Sequence, residues 1–276
     1  MRKSLTLLFL LPLFTSCLTS PPSPLPHRQK RSAPPTPPSL SSAAVQQIGR
    51  KIWQREGAGK REHLIVWNEG EEFASLGIGH FIWYPAGRVK QFGETFPQLL
   101  DFFETQNLHI PRWLDRLKGC PWSSREEFLR EKSDPFASHF RLFLSSKRAI
   151  YLQALFIVQR AEKQFERIEK KAREESKLHV VFALHKLRQT TKGLYALIDY
   201  IHFKGTGIDS EKYWKVSWGA FQVLEGMDRK KMYRHPLREF IASAKRVLRR
   251  RVQHAPPHRG EERWLPGWYA RLDSYL

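Results

Sequence analysis

Trp67-Asn68-Glu69-Gly70-Glu71-Glu72-Phe73-Ala74-Ser75-Leu76-Gly77-Ile78-Gly79-His80-Phe81-Ile82-Trp83-Tyr84-Pro85 is the stretch on which the reading of this chain turns. It packs carboxylates, a Gly-x-Gly-His turn and a wall of aromatics into one short segment. Leu64 to Trp67 and Leu76 to Tyr84 are apolar, aromatic and β-branched, and a polar, glycine-bearing link joins them. That pattern predicts a hairpin or small sheet, ended by Pro85-Ala86-Gly87. Just upstream, Val45, Ile48, Ile52 and Trp53 recur at near-helical spacing, which predicts a helix over Ala43 to Glu56, stopped by Gly57 and Gly59. The helix closes on Glu56. Desolvation at a buried helix end keeps a carboxyl protonated near neutrality, as a general acid requires. An exposed helix-terminal glutamate is the plainer alternative. Facing a glycine-rich hairpin with further carboxylates, Glu56 predicts a sugar-cleaving cleft.

Downstream the pattern is almost all helical. Helices are predicted at Phe96 to Gln106, Ser124 to Lys132, Lys147 to Ser176, Leu178 to Gln189, Leu194 to His202, Ser217 to Met227 and Leu237 to Val252. Glu127, three residues after Ser124, predicts a capping box. Arg160 to Lys177 mixes charge signs at helical spacing and reads as a solvated face laced with ion pairs. Lys245, Arg246, Arg249, Arg250 and Arg251 suit the negative end of the last long helix. The end from Ala255 to Leu276, with the aromatic run Trp264 to Tyr269, is expected to wrap back over the domain. The fold class is therefore α+β, mainly α-helical, with a small hairpin or sheet near the start of a single domain spanning 43–276.

The first residues carry a different signal. Arg2 and Lys3 precede an apolar run, Leu5 to Phe14, too short to span a bilayer, and Thr15-Ser16 follow it. Residues 1–16 read as an export signal. The small pair before Cys17 is similar to a bacterial lipobox, in which the cysteine is lipidated; an ordinary cleaved signal is the alternative. Stable anchoring would take two acyl chains or more. Residues 17–42, rich in Pro and Ser, cannot pack and read as a tether between a membrane and the domain. After Cys17 only Cys120 remains, so no intramolecular disulfide is available, and Cys120 reads as a buried apolar residue rather than a nucleophile. The net charge of +20 favours anionic partners.

With these residues in view, the segment from Ile48 to His80 resembles the active-site region of phage-type lysozymes. In that family a helix-terminal Glu is followed by a hairpin with a second carboxylate, a Thr and Gly-x-Gly-His. The resemblance implies a lysozyme-like domain, with Glu56 as general acid, Ser75 in place of the Thr, and His80 as the hairpin histidine. The second carboxylate would be Glu69, which has the family's offset, with Glu71 and Glu72 as rivals. Here Ser replaces Thr and the loop after Glu56 is longer. Ile52 to Gly59 is similar to the segment around the catalytic Glu of goose-type lysozymes and lytic transglycosylases. Trp218 to Val223 is similar to their Gly-Leu-Met-Gln stretch, though it lies later in the chain. Trp67 to Pro85, Ala196 to Gly205 and Arg263 to Trp268 also resemble blocks of a family of exported bacterial proteins of unsettled role.

These resemblances imply hydrolysis of peptidoglycan or a related β-1,4-linked amino-sugar polymer. Asn68 and Ser75 would hold water or substrate, and Trp83, Tyr84, Trp214 and Trp218 would stack on sugar rings unless they are core. Asp199, in an apolar helix, would sit on the far cleft wall or, more plainly, pair with an Arg or Lys. No cofactor and no metal are expected, because no metal-ligand spacing or phosphate-binding glycine loop occurs. The alternative is a non-catalytic envelope lipoprotein that binds peptidoglycan or supports envelope assembly. The export signal argues against a nucleic-acid partner.

Overall fold

The computed structural model describes residues 40–208 and 216–276. The segment read as an export signal, Cys17, most of the segment read as a tether and Trp214 lie outside the described residues. Helix α1 (Ser42–Gly57) starts where the Ser41 hydroxyl accepts from Ala44 N at 3.2 Å. It ends on Ala58, whose φ of 51° is left-handed. A 3₁₀ turn, Arg61–Leu64, then leads into a three-stranded antiparallel sheet in the order β1 (Ile65–Val66), β2 (Ala74–Leu76), β3 (Phe81–Trp83). Ser75 of the central strand pairs with Val66 on one side and Ile82 on the other.

One detail of the expected hairpin is corrected. Leu76 to Tyr84 is not a continuous strand, because Gly77 (φ 70°) and His80 (φ 48°) are left-handed and fold residues 77–80 into a turn. His80 N donates to Gly77 O at 3.3 Å across it.

The remaining elements are α2 (Phe96–Thr105), α3 (Arg112–Asp115), α4 (Arg125–Glu131), α5 (Pro135–Leu144), α6 (Lys147–Glu174), α7 (Leu178–Arg188), α8 (Thr191–Lys204), α9 (Ala220–Glu225), α10 (Arg229–Arg234), α11 (Pro236–His254) and α12 (Leu265–Asp273). The chain is a mainly helical α+β protein with its small sheet near the N-terminal end. Helices α3, α5, α10 and α12 are absent from the sequence reading. Helix α5 nevertheless carries a start signal: Asp134 accepts from Ala137 N at 2.6 Å and Pro135 occupies the first turn. The capping box of α4 is displaced by one residue. Ser124 Oγ accepts from Glu127 N, but the Glu127 carboxylate reaches Ser123 N at 2.6 Å.

Two apolar clusters form the core. One joins the sheet to α2, α5 and the first half of α6, through Trp83, Phe96, Phe140 and Leu152. The other joins the second half of α6 to α7, α8, α9, α11 and the C-terminal segment. Helix α6 therefore runs through both. Helix α1 crosses it closely at Gly49, where an added Cβ would stand 2.6 Å from Ala154 Cβ. The charged second half of α6 forms the expected ion pairs, such as Lys171–Glu175 at 2.8 Å, yet its opposite face buries Phe165 and Ile168 completely. No helix among the described residues is long and apolar enough to cross a membrane.

Candidate active site

The two lobes meet at the end of α1. Glu56, in its last turn, keeps 17% of its side chain exposed and is surrounded by groups from three distant segments. Arg271 of α12 donates from Nη2 to Glu56 Oε1 at 3.0 Å. His80 of the 77–80 turn places Nδ1 4.0 Å from Oε2, and His202 of α8 places Nε2 4.0 Å from Oε1.

Arg271 is itself held from behind. Its Nε and Nη2 donate to the two oxygens of Asp199 at 2.8 and 2.9 Å, a forked pairing that fixes the plane of the guanidinium. Tyr275 adds a hydroxyl hydrogen bond to Asp199 Oδ2 at 2.5 Å. Asp199 is 2% exposed, so its charge depends on these partners. Burial works against the Arg271 charge, but the hydrogen bonds and charge of Asp199, reinforced by Glu56, raise its pKa above the ordinary arginine value. The phenol of Tyr275 is pushed up by burial and by the facing Asp199 charge. The C-terminal run thus wraps back, as expected, and delivers a cation to the close of the first helix.

On the sheet side the turn is fixed by an uncharged anchor. Gln153 of α6 is fully buried; its Oε1 accepts from Ile78 N at 2.8 Å, and its Nε2 donates to Leu144 O at 2.8 Å. A Cβ on Gly77 would overlap that amide oxygen, and one on Gly79 would come within 2.9 Å of Ile157. Both glycines are therefore needed for the turn to lie against α6 and to aim His80 at Glu56. Burial holds the His80 imidazole below its ordinary pKa against the pull of Glu56, with His202 and His63 acting in the same direction as burial. Its Nε2 is buried without a hydrogen-bond partner among the described residues.

Beside this cluster lies a cavity of about 490 Å³ between the 77–80 turn, α6 and α8. His80 and His202 line it, with Ile157, Ile198, Arg160 and Arg167 among the other wall residues.

The other residues singled out from the sequence fall elsewhere. Glu69 is exposed on the link between β1 and β2, as is Asn68, whose amide donates to Glu71 Oε2 at 3.0 Å. Burial raises the pKa of the Glu71 carboxyl, against the Asn68 hydrogen bonds. This link leaves β2 at the end opposite the 77–80 turn, about 7 Å away along a three-residue strand. Glu72 pairs with Arg88 at 3.4 Å. Ser75 is 4% exposed and does not face an open cleft.

Trp83 and Tyr84 are core rather than sugar platforms. Trp83, 2% exposed, packs on Phe96 with ring centroids 4.9 Å apart. Tyr84, 1% exposed, packs on Phe73 and accepts from Phe92 N at 3.1 Å. Trp218 is core too, with the Arg251 guanidinium 4.2 Å from its ring centroid. Gly219 and Gln222, in the stretch similar to the goose-type motif, lock α9 to the preceding loop, since Gln222 Nε2 donates to Gly207 O at 3.2 Å. Cys120 is buried, and burial pushes its thiol up to about 12, which leaves no thiolate for nucleophilic chemistry near neutrality.

Arg271, His202 and Gln153 are the members that the sequence reading missed. His202 had a signal, since it lies three residues after Asp199 on the same face of α8. Arg271 had none, being one of 47 Lys and Arg residues. Comparison with protein-family models, with curated proteins and with solved structures finds no match for this chain.

Proposed function

We propose that the protein is a lysozyme-like glycoside hydrolase acting on peptidoglycan or a related β-1,4-linked amino-sugar polymer. In this reading Glu56 protonates the leaving glycosidic oxygen. A carboxylate of the link, Glu69 or Glu71, stabilises the oxocarbenium-like centre. The observation that carries the reading is the convergence on one partly open helix-terminal glutamate of a glycine-kinked turn, a histidine pair and a clamped arginine, beside a ligand-sized cavity. Arg271 fixes the direction of the Glu56 carboxyl group, while His80 stands 4.0 Å from Oε2 and His202 4.0 Å from Oε1, beyond direct hydrogen-bond distance. The partner is the wall polymer, and the positive charge of +20 would hold the protein on anionic wall material in a salt-sensitive way. Cys17 would carry the lipid anchor of an envelope lipoprotein.

A second reading draws on the same ion pair. With Oε1 taken by Arg271, Glu56 is also a structural clamp, as expected of an envelope protein that binds peptidoglycan without cleaving it. Incubation of the protein with purified peptidoglycan, followed by mass spectrometry of soluble products, separates the two. Hydrolysis releases muropeptides from wild type and not from Glu56→Gln. If both proteins sediment with the wall and release equally little, the binding reading replaces the enzyme.

A further inference from the structure

Among the described residues, Arg160 contrasts with three enclosed arginines that face carboxylates. Arg271 faces Asp199, Arg251 faces Glu261 at 2.7 Å, and Arg188 faces Glu162. Arg160 is only partly exposed, and its pKa is lowered by burial, with no carboxylate among the described residues to offset it. Its partners are neutral: the amide oxygen of Gln98 at 3.2 Å and the ring of Phe156, 5.6 Å from the guanidinium carbon. Removing a cation from water without a counter-charge is costly unless an anion arrives to meet it.

That cation lines the cavity of about 490 Å³ beside Glu56, and Arg167 lies two turns further along the same helix wall. Ile157, Ile198 and Ile201 supply an apolar floor. His80, on the opposite wall, is held towards its neutral form and has Nε2 buried without a hydrogen-bond partner among the described residues. The cavity therefore combines a forked cation, an apolar surface and an uncharged polar edge. Such a set matches a sugar ring that carries a carboxylate on a short apolar arm.

We infer that this cavity is an anion-reading subsite, in which Arg160 binds a carboxylate borne by an amino sugar of the polymer. That the ligand is a sugar rests on the hydrolase reading; the preference for an anion rests on the cavity alone. The carboxylate has two sources in a wall polymer: the lactyl arm of muramic acid where no peptide is attached, or a carboxylate of the peptide stem.

Titration calorimetry with defined fragments tests the inference without catalysis. The probes are N-acetylglucosaminyl-N-acetylmuramic acid, its L-Ala-D-Glu derivative and neutral chitobiose, applied to wild type, Arg160→Gln and Arg160→Lys. At least one acidic fragment is expected to bind about 10-fold or more tightly than chitobiose, as one charge-assisted pair implies. Arg160→Gln should abolish that difference with no loss of melting temperature, and Arg160→Lys should restore part of it. Preference for the first fragment assigns the lactyl arm; preference for the second assigns the stem. Equal binding of acidic and neutral fragments overturns the inference, as does a preference that survives Arg160→Gln or the binding of none. A protein that cleaves peptidoglycan without anion preference would lose this subsite alone. One with anion preference but no cleavage would keep the subsite and lose the hydrolase reading.

Discussion

The sheet lobe and the helical lobe solve the same problem of holding a side chain against Glu56 by different means. In the sheet lobe the buried polar residues are uncharged, Ser75 and Gln153, and the rest is aliphatic and aromatic packing. In the helical lobe the buried polar set includes the charged residues Asp199, Glu239, Arg251 and Glu261. The turn bearing His80 is thus placed by close approach and one amide, whereas Arg271 is placed by an opposite charge. Geometry carries one side of the site and electrostatics the other.

The largest effect is expected where the charge pairing is broken. Asp199→Ala leaves Arg271 at 16% exposure without its main partner and should cost about 3–5 kcal/mol in urea unfolding. Adding Arg271→Met should recover a good part of the loss; if the double variant is no more stable than the single, the electrostatic account of the helical lobe fails. Gly77→Ala probes the other lobe. A Cβ at φ 70° that also overlaps Gln153 should cost about 2 kcal/mol, with no dependence on salt. A salt-sensitive loss there would erase the contrast between the lobes.

An effect that is smaller per pH unit belongs to Lys204, whose amine lies 3.6 Å from the Trp268 centroid and 4.0 Å from that of Phe203. Burial, aided by Arg251, lowers its pKa from 10.5 to about 7. Between those values the unfolded chain binds the proton and the folded chain does not, so this group makes stability rise with pH across that window. The slope is at most about 1.4 kcal/mol per pH unit. The difference between wild type and Lys204→Met should show this slope from pH 7 upward, and a flat difference contradicts it. The smallest effect is expected at the exposed link. Glu69→Gln should change stability by less than about 0.5 kcal/mol, whatever it does to activity.

Much of the fold was legible because its signals are local. The helix before Glu56, the break near Gly57, the small sheet and most later helices follow from residue periodicity and capping. The split of Leu76 to Tyr84 was not, since β-branched and aromatic content reads as strand while the left-handed His80 depends on Gln153, far away in sequence. Trp83 and Tyr84 were expected to be either core or platform, and only tertiary packing decides which lobe an aromatic residue fills. At the site, His80 approaches Glu56 directly, but Glu56 and Asp199 are joined only through Arg271, a single arginine among many. The assignment of Glu69 rests on its offset to the turn, which counts residues but not the end of the strand on which they fall.

The central claim is that the seam at Glu56, rather than the exposed link, carries the proton chemistry. Its most direct test is the initial rate of muropeptide release by wild type, Glu56→Gln, Glu69→Gln and Glu71→Gln, each shown to unfold at a similar temperature. The account expects Glu56→Gln to lose at least about 100-fold, as removal of a general acid does, with a smaller loss in one of the link variants. A Glu56→Gln protein that cleaves at the wild-type rate, or a wild type that cleaves nothing, contradicts it.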